Sequence, residues 1–208
     1  PYPLLSILYP LISNLHPLSS TLYPLPSTLY PLISTLHSLP STLYPLLSTL
    51  YNMSDVYLSL GSNLGDRHRL ITSAIALLAE RAGRTVAVSR CYETAPWGFQ
   101  SAHPFLNVAL SLRTDLAPLP LLDLTQQIER ELGRTVKSSP GGTYADRPID
   151  IDLIFYADTC LDTPRLTLPH PLMPLRRFVL EPLAEIAPTI VHPTLGRTVS
   201  ELLEQCPE

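Results

Sequence analysis

At 208 residues the chain has room for one domain and an appended segment, and its composition says where that segment lies. Charged residues make up only 15%, with 23 prolines against 8 glycines, because residues 1–52 contain no Asp, Glu, Lys or Arg. The net charge of -4, carried wholly by residues 55–208, excludes a general attraction to nucleic acid or to an anionic membrane, so partners must be met by local patches.

Residues 1–52 repeat with a period of seven, as in Ser20-Thr-Leu-Tyr-Pro-Leu-Pro26, Ser27-Thr-Leu-Tyr-Pro-Leu-Ile33 and Ser41-Thr-Leu-Tyr-Pro-Leu-Leu47. A coiled coil is excluded, since each proline would cost about 3 kcal/mol in a helix interior. A transmembrane helix needs roughly 20 consecutive apolar residues and a signal peptide a basic start, and the repeat has neither. The chain opens at Pro1 without an initiator, Met53 opens the first well-patterned stretch, and a perfect heptad is what a short tandem DNA repeat encodes in frame. We therefore expect residues 1–52 to be disordered or a gene-start artefact, and residues 53–208 to form the domain. Cys91, Cys160 and Cys206 are widely spaced and odd in number, which fits a reducing, cytoplasmic compartment.

Residues 55–60 alternate and predict a first strand, followed by the turn Gly61-Ser-Asn-Leu-Gly-Asp-Arg67. A glycine-rich turn after a strand can cradle phosphate, yet this one lacks the Lys-Ser/Thr of a P-loop and the spacing of a dinucleotide fingerprint. A tight turn with Asp66 capping the next helix explains it equally well. That helix, over residues 66–80, carries Leu70, Ile71, Ala74, Ile75, Leu77 and Leu78 on a broad apolar face and is stopped by Gly83. Residues 84–92 and 105–112 alternate as the next two strands. Between them runs a long loop with the only tryptophan, where Trp97, Phe99 and Phe105 can sandwich a flat heterocycle while Asn107 reads its edge. Ordinary core packing is the alternative for Phe105 and Trp97.

Residues 119–132 predict a second helix with Leu121, Leu122, Thr125, Ile128 and Leu132 on its apolar face; Gln126 and Glu129 share another face that, taken alone, reads as solvated. A loop bearing Arg134, Lys137 and Arg147 then leads into Arg147-Pro-Ile-Asp-Ile-Asp-Leu-Ile-Phe-Tyr156. On a strand, Ile149, Ile151, Leu153 and Phe155 line one face while Asp150 and Asp152 stand side by side on the other. Two carboxylates so close repel, and hard oxygen ligands suit Mg²⁺, which takes one or two of them and fills its other positions with water and substrate phosphate. Arg147 can grip a phosphate in a bidentate fork. A lone Asp-x-Asp also describes a solvated strand face, but cations converging from the preceding loop favour the metal. Arg165, Thr167, His170, Arg176 and Phe178 follow, and the tail to Glu204 predicts small helices on the sheet with no site of its own.

Leu60-Gly-Ser-Asn-Leu-Gly65, Tyr92-Glu-Thr-Ala-Pro-Trp97, Phe105-Leu-Asn107, Gln126-Gln-Ile-Glu129, Gly133-Arg134, Arg147-Pro-Ile-Asp-Ile-Asp152 and Leu168-Pro-His-Pro171 occur in order over residues 54–204. Together they resemble the 6-hydroxymethyl-7,8-dihydropterin pyrophosphokinase family of folate biosynthesis. The resemblance implies an α+β fold, a ferredoxin-like sandwich of an antiparallel sheet with helices packed on it, and transfer of the β,γ-diphosphate of ATP to the pterin hydroxymethyl oxygen with release of AMP. It implies two Mg²⁺ ions on Asp150 and Asp152, and a pterin pocket of Thr94, Ala95, Trp97, Phe105, Asn107 and Phe178, with Phe105 and Phe178 stacking on the two ring faces. It implies an ATP site of Gln126, Glu129, Arg134, Arg147, Leu153, Arg165, Thr167, His170 and Arg176, with Arg134 and Arg147 on the phosphates and so catalytic beside the two aspartates. Tyr144 falls where the family often has a tryptophan in a mobile closing loop. The sequence departs from the family pattern at Val136, where an arginine is often found, at Pro171, which replaces a frequent aromatic, and in a longer 134–147 loop. The implied partners are ATP and the pterin, with no nucleic acid and no membrane, for a monomer. Two competing readings are a ferredoxin-like nucleic-acid-binding module, which the acidic charge disfavours, and another Mg²⁺-dependent nucleotide transferase.

Overall fold

The structure, a computed structural model, describes residues 53–135 and 144–207. Expectations for residues 1–52 and for Val136 and Lys137 lie outside the described residues. In chain order the elements are β1 (Ser54–Ser62), α1 (Arg67–Arg81), β2 (Arg84–Val88), β3 (Tyr92–Thr94), β4 (Phe105–Thr114), α2 (Pro118–Glu131), β5 (Asp150–Tyr156), β6 (Leu161–Asp162), β7 (Thr167–Leu168), α3 (Arg177–Ile186) and α4 (Val199–Gln205). A single 3-10 turn, Met173–Leu175, precedes α3. The chain is α+β, with an antiparallel sheet in the order β2-β4-β1-β5 and β3 continuing the pairing along β4.

Local chemistry sets the element ends. Asp66 caps α1 by accepting the Arg69 N–H at 3.1 Å, as the sequence predicts. Gly83 lies at φ +144°, where a Cβ would stand 2.3 Å from the Arg113 carbonyl oxygen, so the turn from α1 into β2 requires glycine. Pro118 opens α2 at the position where its missing N–H costs nothing.

The sheet is buried on two faces by different means. Val56, Leu58 and Leu60 of β1, Leu106, Val108, Leu110 and Leu112 of β4, and Ile149, Ile151 and Leu153 pack against Ile71, Ala74 and Leu78 of α1 and Leu121 and Ile128 of α2. Each leucine fully buried in this layer contributes about 2 kcal/mol, which holds both helices to that face. On the other face, Ala109, Ile154 and Phe155 are covered by Val179, Leu180 and Leu183 of α3 and by Val199 and Leu202 of α4. The same face carries Ser59, Gly61, Asn107, Asp150 and Asp152 further along the strands, where they line a cavity.

Two expectations need correction. Phe155 does not share a face with Leu153: the β1–β5 register shifts between Tyr57 and Leu58, leaving Ile154 as an extra residue, so Phe155 opposes Tyr57 and joins the second core while Tyr156 takes the first face. The strand expected over residues 84–92 is interrupted, because the Ser89 hydroxyl accepts the Ala109 N–H at 2.9 Å and the chain leaves the ladder before resuming as β3. The β6–β7 hairpin was not predicted, since two-residue strands carry no readable period.

Candidate active site

Strand register builds the floor. Gly61 pairs with Asn107 on one side and Asp150 on the other, and Ser59 pairs with Asp152. The central strand thus contributes only a hydrogen and a hydroxymethyl between Asn107 and the two carboxylates. A Cβ on Gly61 would meet Asn107 Oδ1 at 3.1 Å and Phe105 Cδ1 at 3.6 Å.

The two aspartates are in different electrostatic states. Asp150 Oδ1 accepts from Arg134 Nη1 and its Oδ2 from Arg147 Nη2, the latter at 2.6 Å. Arg134 Nη1 also reaches Glu129 Oε1 at 2.6 Å, and the same oxygen accepts the Ile151 N–H at 2.8 Å, tying α2 to the outer edge of β5. Glu129 is 4% exposed, and that burial raises its pKa against the pull of Arg134. Asp152 has only Arg176 Nη1 nearby, at 3.9 Å from Oδ2. Burial and the charge of Asp150 push its pKa up to about 7, with Arg176 and Arg147 opposing.

Asp152 therefore has only a distant counter-charge among the described residues, and a divalent cation on the cavity side would supply a closer one. Among the described residues no group of three or more His, Cys, Asp or Glu could hold a metal ion by itself. That donor set fits Mg²⁺, which keeps water and substrate phosphate as ligands. The buried Nε groups of Arg147 and Arg176 have no hydrogen-bond partner, and an anionic oxygen would satisfy both.

Rings form the wall. The Arg176 guanidinium, 6% exposed, lies 4.9 Å from the Trp97 ring centre, 5.7 Å from Phe178 and 5.8 Å from Tyr144, and donates to Tyr144 Oη at 2.8 Å. Phe99 meets Phe105 edge-on with centroids 6.2 Å apart, and the Arg147 guanidinium lies 5.1 Å from the Phe105 ring centre. Asn107 is 2% exposed, and its Nδ2 donates to Thr94 Oγ1 at 2.8 Å.

A cavity with ring walls and a carboxylate–arginine floor suits a flat heterocycle beside a phosphorylated co-substrate. The sequence model of 7,8-dihydro-6-hydroxymethylpterin-pyrophosphokinase (HPPK) matches residues 57–188, more than half of the chain. The chain belongs to the HPPK family. A 2-amino-4-hydroxy-6-hydroxymethyldihydropteridine pyrophosphokinase of Porphyromonas gingivalis is 55% identical over 142 residues, covering 68% of this chain and 95% of that protein. Its counterpart in Bacillus subtilis is 47% identical over 131 residues, 62% of this chain and 76% of that protein. The folic acid synthesis protein FOL1 of Dictyostelium discoideum is 40% identical over 149 residues, 71% of this chain and 22% of that protein. A crystal structure of HPPK-DHPS in complex with substrates superposes with a TM-score of 0.59 over 74% of this chain and 43% of that one; at 15% identity it speaks for the fold alone.

Every residue expected of the HPPK pterin pocket, Thr94, Ala95, Trp97, Phe105, Asn107 and Phe178, lines this cavity. Of the ATP set, Arg147 and Arg176 line it, and Arg134 and Glu129 join it through Asp150. Leu153 buries its side chain in the first-face core. Arg165 pairs with Asp123 of α2, Thr167 Oγ1 donates to Asp162 Oδ1 at 3.2 Å, and the His170 N–H donates to the Ile154 carbonyl at 3.0 Å. Burial, reinforced by Arg176, drives the His170 pKa down to about 4. These three and Gln126 are not among the cavity-lining residues.

One site expectation changes. Glu129 is buried rather than on a solvated face, because its carboxylate caps the edge of β5. Arg176, which the resemblance assigns to the ATP set, stands among the rings. Phe178, expected in the pterin pocket, lies in the first turn of α3 and is part of the wall. Ser59 and Gly61 were missed, although small residues alternating with Leu58 and Leu60 were the available signal.

Proposed function

We propose that this cavity carries out the ATP-dependent transfer of diphosphate to the hydroxymethyl group of 6-hydroxymethyl-7,8-dihydropterin, giving AMP and the pterin diphosphate, as a step of folate biosynthesis. Family membership supports the reaction. The single observation that carries the site assignment is the register of Gly61, which sets the ring-reading Asn107 of β4 and the carboxylate of Asp150 of β5 on either side of β1 in one floor.

In this reading the pterin lies between Phe105 and Phe178, with its edge against the Asn107 amide and its hydroxymethyl group toward Asp150 and Asp152. Two Mg²⁺ ions, when bound on the aspartates, neutralise phosphate oxygens and lower the pKa of the hydroxyl. Arg134 and Arg147 turn from Asp150 to the transferred and leaving phosphates, where charge grows in the transition state. Gln126, Glu129, the Leu153 backbone, Arg165, Thr167, His170 and Arg176 hold ATP. Phosphoryl-type transfer asks for in-line positioning more than for covalent help, so no strong general base is required. Trp97, Phe99 and Tyr144 keep water, a competing acceptor, off the reacting phosphorus.

With β2 and β3 counted as one interrupted edge strand, the order strand–helix–strand–strand–helix–strand, and β2-β4-β1-β5 in space, supports a ferredoxin-like sandwich. We further propose that residues 53–208 are the pyrophosphokinase domain, acting as a cytoplasmic monomer; the three free cysteines support a reducing compartment. No described helix is long and apolar enough to cross a membrane. Chromatographic analysis of a reaction holding ATP, Mg²⁺ and the pterin tests the assignment. AMP and pterin diphosphate in equal amounts are expected, and ADP, or AMP formed without the pterin, would overturn it.

A further inference from the structure

Asn63, the residue that follows β1, is unused by the reaction as described so far, yet its buried side chain has unusual reach. Asn63 is 3% exposed. Its Oδ1 accepts the Arg147 N–H at 2.8 Å, its Nδ2 donates to Asp146 Oδ1 at 2.6 Å and to the His103 carbonyl at 3.3 Å, and its own N–H donates to the Arg147 carbonyl at 3.2 Å. One residue thus engages both backbone polar groups of Arg147. Arg147 lies before the first paired residue of β5, so strand pairing does not fix it.

The same amide reaches the loop between β3 and β4, which carries Trp97 and Phe99 and ends near His103. Hydrogen bonds from Ser101 of that loop and from Asn63 hold the Asp146 carboxyl below the usual carboxylate range. Asn63 therefore joins β1, the ring-bearing loop and the segment that carries Tyr144 and Arg147. From this tethered backbone, Arg147 reaches Asp150 at 2.6 Å and covers Phe105 at 5.1 Å.

We infer that Asn63 is a positioning residue for the diphosphate transfer: it sets the backbone of Arg147 and couples that arginine to the loop that walls the pterin. The inference rests on the reaction proposed above. Asn63 touches no substrate in this account and acts through Arg147.

The test is a double-mutant cycle on the full chain, measuring kcat, both KM values and the melting temperature for Asn63→Ala, Arg147→Ala and the pair. Misplacing Arg147 by the order of 1 Å should lower kcat by about 100-fold in Asn63→Ala. The same change in the Arg147→Ala background should cost less than about 3-fold, because the group it serves is gone. A role confined to the turn would lower the melting temperature and leave kcat of the folded enzyme unchanged, which overturns the inference; so does a full loss that persists in the Arg147→Ala background. Should Asn63→Ala fail to fold, the exchange Asn63→Asp with Asp146→Asn decides, since it reverses donor and acceptor while keeping the acceptor for the Arg147 N–H. The exchange should recover most of the rate that Asn63→Asp alone loses, and an exchange no faster than Asn63→Asp contradicts the coupling. A wild-type chain that releases no AMP from ATP and the pterin overturns the proposed reaction itself, whereas an active wild type with rate-neutral Asn63 variants overturns this inference alone.

Discussion

Arg147 and Asp150, three residues apart, meet at 2.6 Å with side chains each only 16% exposed, while Asp152 on the same face stands 3.9 Å from its nearest guanidinium nitrogen, on Arg176. The two carboxylates therefore differ in what they contribute to the resting fold. Removing Asp150 takes from the partly buried Arg147 its carboxylate at 2.6 Å and from Arg134 one carboxylate beside Glu129, whereas removing Asp152 relieves a repulsion with Asp150 and loses only the 3.9 Å contact to Arg176. Asp150→Ala should destabilise the protein by about 2–4 kcal/mol and Asp152→Ala by under about 1 kcal/mol, while both abolish turnover. Urea unfolding of the two variants checks the contrast, and equal stability losses would refute it.

Glu129 links α2, Arg134 and the Ile151 N–H. Glu129→Leu strands a backbone donor and frees Arg134 from one of its two carboxylate partners, at a cost of about 3 kcal/mol. Glu129→Gln retains an acceptor for Ile151 and should cost less than half of that by the same unfolding assay.

Gly61 needs its missing side chain for the cavity rather than for its backbone angle. A methyl group there would press on Asn107 Oδ1 at 3.1 Å. Gly61→Ala should weaken pterin binding by about 10-fold, through roughly 1.4 kcal/mol of lost fit. MgATP binding should change little, and calorimetric titration of each ligand separates the two effects.

His170 has a pKa near 4 in the folded chain, set by burial first and by Arg176 second. Its folded value is depressed below the unfolded one, about 6.5, so its contribution to stability is complete above pH 6.5 and is lost as pH falls toward 4. Asp152, raised to about 7, works in the opposite sense: the folded chain binds its proton more tightly, so its contribution grows as pH falls through 7. The difference between the wild type and His170→Gln isolates the histidine. Over pH 6.5 to 4 the wild type should lose about 2–3 kcal/mol more stability than the variant, and parallel pH profiles would exclude this role.

Periodicity made α1, α2 and the main strands legible, and alternation put Asp150 and Asp152 on one face. It failed where a single residue changed the count: Ile154 as a bulge moved Phe155 to the second core, and Ser89 broke one predicted strand into β2 and β3. The site residues were legible through motif resemblance, but their states were not. Nothing in the spacing of Gln126 and Glu129 says that the glutamate finds a backbone N–H across the edge of β5, and nothing near Arg176 in sequence says that Trp97 and Tyr144 will surround it. Such contacts join residues far apart in the chain and depend on tertiary packing.

Asp152, the carboxyl without a close partner, is the group on which the proposed metal-assisted transfer depends most. The most direct measurement is AMP release from ATP by Asp152→Asn at saturating Mg²⁺ and pterin, beside the wild type. AMP release should depend on the pterin in the wild type and fall by at least about 1,000-fold in the variant, with the melting temperature preserved. A folded Asp152→Asn enzyme turning over at the wild-type rate would contradict it.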